Sequence, residues 1–194
     1  MKLLSILTPG IPERLEQIGR LTAAIQGFLK GEGQVEHLVF IDNRQRTVGE
    51  KRQALLEMAQ GLYVAFVDDD DAVTNDYASE ILKAIYHRPD VVTFRQVAEI
   101  EGVAGEVDFS IKHPDNEAWR PGGVCKRRPW HVCAWKRSIA MRSSFPATNY
   151  GEDWAWAAPL QARLTNEEHI DKVLHYYRHS AERTAAPHPA SLTK

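Results

Sequence analysis

The sequence predicts an α/β protein: a mostly parallel central sheet with helices on both faces, in a single domain. Two observations lead to this class. Short apolar runs of strand length alternate with segments whose apolar residues recur at helical spacing, from residue 3 to residue 94. Such alternation is typical of strand–helix–strand units with parallel strands. The 194 residues, 43% of them hydrophobic, are enough for one buried core.

The first half of the chain supplies four predicted strands and three predicted helices. The strands are 3–7, 35–41, 63–67 and 91–94. The helices are a segment that begins at Glu13 and ends at Gly31 and Gly33, then 50–60 and 77–87. Prolines and a glycine at 8–12 predict a loop directly after the first strand.

The second half has a less regular pattern. Alternating apolar residues at 97–111 predict a hairpin or irregular strands, and the Pro-, Asn- and Gly-rich segment 113–123 predicts a loop. A helix is expected from Gly151 to Leu164 and one more strand at 169–178.

Four consecutive aspartates, Asp68 to Asp71, follow the third predicted strand. Ligands of open α/β sheets bind in the crevice beyond the carboxyl ends of the strands, where this acidic run would lie. Four like charges repel one another unless a cation lies among them. Carboxylate oxygens suit Mg²⁺ or Mn²⁺, and such ions commonly hold a substrate's phosphates. A divalent metal site is therefore predicted; the alternative is a solvated acidic turn.

Composition narrows the function classes. The formal net charge of −2 excludes a globally basic nucleic-acid binder, although a local basic patch remains possible. Cys125 and Cys133 match no zinc spacing and are expected to be free thiols. No stretch reaches the roughly 20 apolar residues that span a bilayer, and the start of the chain does not resemble a signal peptide. We expect a soluble, cytoplasmic protein.

Taken in order, several short motifs resemble a family 2 glycosyltransferase. They are Thr8-Pro9, Asp42, Gly49-Glu50-Lys51-Arg52, the acidic run and Gly151-Glu152-Asp153. The resemblance extends from about residue 3 to residue 177. It implies the GT-A type of fold, with a nucleotide-sugar-binding half at 1–95 and an acceptor and catalytic half at 96–180. Residues 181–194, which include Pro187 and Pro189, are expected to form a flexible tail.

The resemblance also implies the reaction. A single sugar would pass from a nucleotide diphosphate sugar to an acceptor hydroxyl, with inversion at the anomeric carbon. A carboxylate at Asp42 can accept the imide N–H of uracil or a ribose hydroxyl, which favours a uridine or thymidine nucleotide. A UDP-sugar is the expected donor. The chain is short for this family, which favours transfer of one sugar over processive polysaccharide synthesis.

Donor-binding residues carry over position by position. The family brackets the nucleobase and ribose with the loop after the first strand and the acid after the second. Here that implies Thr8, Pro9 and Asp42, with Arg14 nearby; the alternative for Asp42 is a turn former. Arg52 resembles a basic helix residue that faces the nucleotide, and its alternative is a solvent-exposed charge. Arg178 is a further candidate to hold a phosphate.

The acidic run resembles the family's Asp-x-Asp metal motif. Asp68 and Asp70 would form the pair, and Asp70 is the preferred metal ligand. Asp69 is an alternative contact to the ribose or the metal, since four aspartates leave the register open by one. Some GT-A enzymes add a histidine ligand late in the chain, and His179 is preferred for it here because it comes where the last strand should end.

Glu152-Asp153 resembles the family's catalytic motif, in which the aspartate is the base. Asp153 would take the proton of the acceptor hydroxyl as the oxygen attacks. The alternative for Glu152 and Asp153 is an acidic first helix turn stabilised by the helix dipole. The two interpretations are compatible, because a helix that begins at a loop also presents its acids to a cleft.

A local concentration of basic and aromatic residues suggests an acceptor site. Its candidate residues are Trp130, His131, Lys136, Arg137 and Trp154. Basic residues interleaved with aromatics can contact phosphates and stack on bases or sugars. The acceptor is left open between a glycan, a lipid-linked saccharide and DNA carrying a hydroxylated base. The alternative for the cations is ordinary surface charge, and for the tryptophans it is core or rim packing.

Two other functions compete. A nucleotidyltransferase also combines an α/β fold with metal-binding carboxylates, but it usually has a Gly-rich phosphate loop with a lysine or arginine after the first strand. The loop here reads Thr-Pro-Gly-Ile-Pro. A non-catalytic nucleotide- or glycan-binding module is the other candidate; both acidic motifs argue against it.

Overall fold

A computed structural model describes residues 1–28 and 33–179 of the chain. Its strands are β1 (Leu4–Gly10), β2 (Val35–Ile41), β3 (Tyr63–Phe66), β4 (Ala72–Val73), β5 (Val91–Ile100), β6 (Val103–Phe109), β7 (Val124–Arg127), β8 (Ala134–Lys136) and β9 (Glu167–His179). Its helices are α1 (Leu15–Phe28), α2 (Val48–Met58), α3 (Tyr77–Ile85), α4 (Arg137–Ala140) and α5 (Glu152–Gln161), with a 3₁₀ turn at Pro12–Arg14 before α1. Gly31 and the tail 181–194 lie outside the described residues.

All nine strands belong to one sheet, whose main path is β2-β1-β3-β8-β5-β6-β7. Strand β1 pairs in parallel with β2 and β3, and β9 pairs in parallel with β5. Strand β8 lies antiparallel between β3 and β5, so that β2, β1, β3, β5 and β9 all run in one direction. The predicted α/β class, with a parallel group of strands at its centre, is confirmed.

The first strand is longer than the sequence predicts, because Thr8, Pro9 and Gly10 continue it instead of forming a loop. Strand β3 pairs with β1 only as far as Leu7, while β2 pairs along the whole of β1. Beyond Leu7 one edge of β1 therefore has no sheet partner in β3. A proline, which has no N–H to donate, is tolerated at such an edge.

The predicted hairpin is present as β5 and β6. Its two-residue turn is Glu101-Gly102, with φ of 50° and 79°. Positive φ at both turn positions matches the twist of hairpin strands, and glycine adopts it without strain. Strand β4 was not predicted. It is two residues long and is held by its pairing with β9, a contact far along the sequence.

The core lies on both faces of the sheet. On one face, α1 and α3 pack Leu21, Ile25 and Ile81 against the strands. On the other face, α2 and α5 contribute Leu55 and Trp156. Both cysteines are free and buried, as predicted. Among the described residues we find no helix with the length and apolar content needed to cross a membrane.

His37 of β2 makes the stability sensitive to acid. Thr8 Oγ1 donates to the carbonyl of Val67 (2.8 Å) and lies 2.9 Å from His37 Nε2, which therefore donates to it. The other ring nitrogen of His37 is buried without a hydrogen-bond partner. Burial lowers the pKa of His37 to about 4.

We expect acidification from pH 7 to pH 5 to destabilise the fold through His37. The unfolded histidine takes up a proton near pH 6.5, whereas the folded one resists it until about pH 4. The contribution of His37 to the free energy of unfolding is therefore fully present above pH 6.5. It decreases as the pH falls, by about 2 kcal/mol at pH 5. Urea unfolding of wild type and His37→Gln at both pH values measures it: the pH-dependent loss should be smaller in the variant by this amount. Equal losses would contradict the assignment.

Candidate active site

Three parallel strands bring the predicted donor residues to one edge of the sheet. Gly10 at the end of β1 pairs with Ile41 at the end of β2, and Asp42 follows directly. Leu7 pairs with Phe66 at the end of β3, so the acidic run begins at the same edge. Pro9, Asp42 and Asp68 therefore lie at the carboxyl end of the sheet, as the sequence predicts.

The acidic run is neutralised by protein cations from distant parts of the chain. Arg52 Nη2 lies 2.8 Å from Asp68 Oδ2. Arg14 Nη1 lies 2.5 Å from Asp69 Oδ1 and 3.0 Å from Asp70 Oδ2. Each arginine comes from a segment that precedes the run by many residues. The mutual repulsion expected from the sequence is thus partly relieved within the protein.

Asp71 contacts a buried histidine of β9. His175 is fully buried, and its Nε2 lies 3.3 Å from Asp71 Oδ2. On the other side of the ring, Gln96 Nε2 lies 2.9 Å from His175 Nδ1. The pairing of β4 with β9 produces this contact, because Val73 stands opposite His175.

Burial and neighbouring charges shift the pKa values of the run in opposite directions. It raises the pKa of Asp70 to about 7, with Asp71 adding to the effect and Arg14 opposing it. Burial also acts to raise the pKa of Asp68, but Arg52 and His131 outweigh it and the pKa is lowered. Asp68 therefore remains a carboxylate, while Asp70 lacks enough counter-charge.

Arg52 joins the acidic run to the second acidic motif. Its Nη2 contacts Asp68, its Nε lies 3.2 Å from Glu152 Oε1, and its guanidinium lies 5.3 Å from the centre of the Phe66 ring. The side chain is only 4% exposed. It is therefore neither a solvent-exposed helix charge nor an open contact for a nucleotide. Burial raises the pKa of Glu152, opposed by Arg52.

Local chain features hold α2 against the start of α5. Thr47 and Glu50 form a capping box at the start of α2. A Cβ on Gly49 would lie 1.8 Å from the Pro146 carbonyl oxygen, so only glycine allows this approach. Gly151, with φ of 75°, then turns the chain into α5. Arg52 and Glu152 are brought together by these two glycines.

Asp153 lies at the exposed side of this cluster. Trp130 Nε1 donates to Asp153 Oδ2 (2.8 Å), and the backbone N–H of Trp154 donates to Oδ1 (2.8 Å). His131 Nδ1 is 3.4 Å from Asp153 Oδ2, and its Nε2 is 4.0 Å from Asp68 Oδ2. Burial, with Arg52, lowers the pKa of His131. A neutral imidazole therefore lies between the two acidic motifs.

A cavity of about 720 Å³ opens beside the acidic run. Its polar lining includes Arg14, Asp69, Asp70 and Arg178, and residues of α1 and β4 form much of the rest of its wall. A volume of this size is typical of pockets that hold a cofactor or a small-molecule substrate. It presents carboxylates and guanidinium groups together, which suits a ligand composed of a cation and an anion.

The carboxylates retain capacity for a metal ion. Asp68 Oδ1 and Asp71 Oδ1 are buried and accept no hydrogen bond. Within the described part of the chain, however, no three His, Cys, Asp or Glu side chains are grouped closely enough to hold an ion as they stand. The oxygens have the right chemistry for Mg²⁺ or Mn²⁺, and Arg14, Arg52 and His175 contact them in this structure.

Comparison with known proteins assigns the family. The family model described as "Glycosyl transferase family 2" matches residues 20–144, which is more than half of the chain. The chain belongs to glycosyl transferase family 2. The sequence-based resemblance is thereby confirmed.

Similar proteins agree with this family. EpsH of Bacillus subtilis (strain 168), whose name as a glycosyltransferase is provisional, is 29% identical over 83 residues, which cover 39% of this chain and 24% of EpsH. The structure of Staphylococcus aureus TarS, residues 1–349 in complex with UDP-GlcNAc, is similar to this chain with a TM-score of 0.63 and 13% sequence identity. The match covers 100% of this chain and 62% of the TarS chain. A second TarS structure has a TM-score of 0.59 at 15% identity, and the match covers 94% of this chain and 37% of the TarS chain. The GT-A fold is confirmed, and the chain spans less than two thirds of each of these proteins.

Two residues that the family resemblance assigned to the donor have partners inside the protein. Thr8 is fully buried, and its hydroxyl is engaged with Val67 and His37. Its side chain is therefore engaged within the protein. Asp42 Oδ1 lies 2.9 Å from the buried Lys51 Nζ, and its Oδ2 accepts from the Arg46 N–H. The contact with the Arg46 N–H is the kind that the alternative interpretation of Asp42, a turn former, predicts.

Two predicted acceptor residues lie at the wrong end of the sheet. Lys136 pairs with Tyr63 at the start of β3, and the Arg137 N–H donates to the carbonyl of Leu62. The acidic run follows the other end of β3, about 16 Å away at the rise of a strand. Because β8 runs antiparallel to β3, Trp130 and His131 reach the site and Lys136 and Arg137 do not.

His175 replaces His179 as the histidine nearest to the acidic run. His179 is the last residue of β9, pairs with Ile100 and stacks on Tyr177 with ring centres 6.3 Å apart. The preference for His179 assumed that the ligand would lie at the strand end, whereas β4 pairs further back along β9. The sequence patterns did not identify Gln96 or Lys51 as residues of the site. Lys51 lies within the Gly49–Arg52 motif, whereas no local sequence pattern indicates Gln96.

Proposed function

We propose that this chain is a glycosyltransferase that moves one sugar from a nucleotide diphosphate sugar to an acceptor hydroxyl, inverting the anomeric carbon. One observation supports this above all. Arg52 contacts both Asp68 and Glu152, so two acidic motifs about 80 residues apart meet at one site. A binding module would not require a second carboxylate, Asp153, beside the first motif.

The donor is assigned to the cavity beside the acidic run. Arg14 and Arg178 line it and can pair with a diphosphate, for which arginine is well suited. Pro9 and Asp42 at the neighbouring strand ends are the proposed nucleoside contacts. A UDP-sugar is the proposed donor, supported by the structures of TarS in complex with UDP-GlcNAc and with UDP.

A divalent ion, Mg²⁺ or Mn²⁺, is proposed to complete the donor site. Asp70 and Asp68 would hold it, and Asp71 offers a further unpartnered oxygen. Such an ion supplies Lewis-acid stabilisation of the charge that develops on the leaving diphosphate. Arg14 and Arg178 add fixed positive charge on the same side of the site.

Asp153 is proposed as the general base. Trp130 and the Trp154 N–H fix its carboxylate, and a quarter of the side chain remains exposed. As the acceptor oxygen forms its bond to the anomeric carbon, Asp153 takes the hydroxyl proton. The bond from that carbon to the diphosphate breaks, and its electron pair stays on the diphosphate. Attack opposite the leaving group gives inversion.

The acceptor is proposed to lie on an aromatic surface next to Asp153. Trp154 is 46% exposed and stacks on Trp130, with ring centres 5.4 Å apart and an interplanar angle of 25°. An indole face beside a base can bind one face of a sugar ring. A glycan or lipid-linked saccharide is therefore favoured over DNA, because Lys136 and Arg137 lie away from this surface.

Calorimetric titration tests the donor and metal assignments together. We expect UDP to bind more tightly with Mn²⁺ than without it, and Asp70→Ala to weaken Mn²⁺-dependent binding at least about tenfold. The matched control is Asp171→Ala, which removes an exposed aspartate that pairs with Arg95 on β5. GDP, dTDP and CMP are titrated in parallel. Failure of every nucleotide to bind the folded protein would favour a non-catalytic module.

A further inference from the structure

Arg14 contacts the two aspartates that border the cavity. It ends the 3₁₀ turn after β1, and its side chain is only 13% exposed. One guanidinium nitrogen, Nη1, lies 2.5 Å from Asp69 Oδ1 and 3.0 Å from Asp70 Oδ2. Asp69 is also fixed from the backbone, because the Ile11 N–H donates to its Oδ2 (3.3 Å).

We propose that Arg14 is an exchangeable counter-ion of the metal site. It neutralises Asp69 and Asp70 while no divalent ion is bound, and it turns to the donor's diphosphate when the ion takes its place. This proposal rests on the donor and metal site proposed above. It assigns Arg14 a role in coupling the two ligands, in addition to phosphate contact.

Charge is the first argument. Asp70 is the preferred metal ligand, and its Oδ2 already contacts a guanidinium. A divalent ion at that oxygen would stand within a few ångströms of Nη1, and two cations at that separation repel each other strongly where water is scarce. The ion and Arg14 therefore compete for Asp70. This competition also explains why the carboxylates do not converge on one point.

The second argument concerns where Arg14 can go. The residue lines the cavity together with Arg178, so its guanidinium needs only to rotate toward the cavity to meet a bound anion. A diphosphate accepts two parallel hydrogen bonds from a guanidinium, which compensates for the loss of Asp69 and Asp70. Binding of the ion and of the diphosphate should therefore be mutually favourable.

Arg20 provides a matched control. It lines the same cavity, but its side chain is 77% exposed and pairs with Glu16 one turn earlier on α1. Arg20→Met removes a positive charge from the cavity wall without altering the acidic run. Arg14→Met removes the same charge from Asp69 and Asp70 and keeps most of the apolar side chain.

The experiment titrates Mn²⁺ alone, and then Mn²⁺ in the presence of saturating UDP, into wild type, Arg14→Met and Arg20→Met. Free Mn²⁺ is followed by electron paramagnetic resonance, which requires no catalysis. Arg14→Met should bind Mn²⁺ alone at least about tenfold more tightly than wild type, and UDP should strengthen its Mn²⁺ binding by a smaller factor than in wild type. Arg20→Met, which leaves the acidic run untouched, should keep the affinity for Mn²⁺ alone within about twofold of wild type.

The outcomes separate this proposal from the function on which it rests. Equal Mn²⁺ affinity in wild type and Arg14→Met, with UDP still strengthening Mn²⁺ binding in both, would overturn the counter-ion role and leave the donor site standing. Absence of Mn²⁺ binding in all three folded proteins, with and without UDP, would overturn the metal site and this proposal with it. Arg14→Gln serves as a second variant if Arg14→Met does not fold.

Discussion

Replacing Asp153 by Asn should lower kcat by about 10²–10⁴-fold, the usual contribution of a general base. The amide keeps the size of the side chain, and its oxygen can still accept from the Trp130 indole. It cannot take up the acceptor proton. UDP affinity should stay within about twofold, since Asp153 lies outside the residues that line the cavity. Release of UDP from UDP-GlcNAc, with sugars or water as acceptor, measures the rate, and calorimetry measures the affinity.

Asp171→Asn is the control for Asp153→Asn, because it makes the same chemical change on an exposed part of β9. Its kcat should match that of wild type. A variant at Asp153 that retains full activity would remove it as the base and leave Glu152 as the remaining acid of the motif. A fall in UDP affinity as large as the fall in kcat would instead place Asp153 in donor binding.

Arg52→Met should destabilise the fold by about 3–5 kcal/mol, the cost of leaving buried charges without a partner. Asp68 and Glu152 both lose their cation, and each is less than a quarter exposed. The methionine occupies a similar volume against Phe66, so the loss reflects charge more than packing. Arg20→Met, which breaks an exposed pair with Glu16, should cost less than about 1 kcal/mol.

Urea unfolding at pH 7 measures the effect of Arg52→Met. The variant should also become relatively less destabilised as the pH is lowered, because protonation removes the unpaired charges of Asp68 and Glu152. A loss similar to that of Arg20→Met would show that the two carboxylates do not depend on Arg52. The link between the acidic motifs would then have to rest on His131.

The sequence predicted the fold well where local patterns decide it. Strand β2 has the predicted bounds, and α2 buries Leu55 and Leu56 as expected. The site at the sheet edge also follows from local information, since the carboxyl ends of parallel strands must share an edge. The extension of β1 through Pro9 could not be predicted, because it depends on pairing with β2 beyond the point where β3 stops.

The sequence could not predict how the acidic run is neutralised. Local reasoning assigned the balancing charge to a metal ion, but the structure also supplies Arg14 and Arg52, from 55 and 16 residues away. Such pairings depend on tertiary contacts that leave no mark in local composition. The misplacement of Lys136 and Arg137 has the same origin, because a patch of basic residues says nothing about strand direction.

The position of β8 in the sheet has a consequence for synthesis of the chain. β8 fills the gap between β3 and β5, although it begins 34 residues after β5 ends. Until residue 136 leaves the ribosome, the facing edges of β3 and β5 have no strand between them, and Asp71 still lacks the histidine of β9. Unpaired strand edges invite aggregation, and closure by distant segments slows folding. The nascent chain therefore depends on its last third before its first half can become stable.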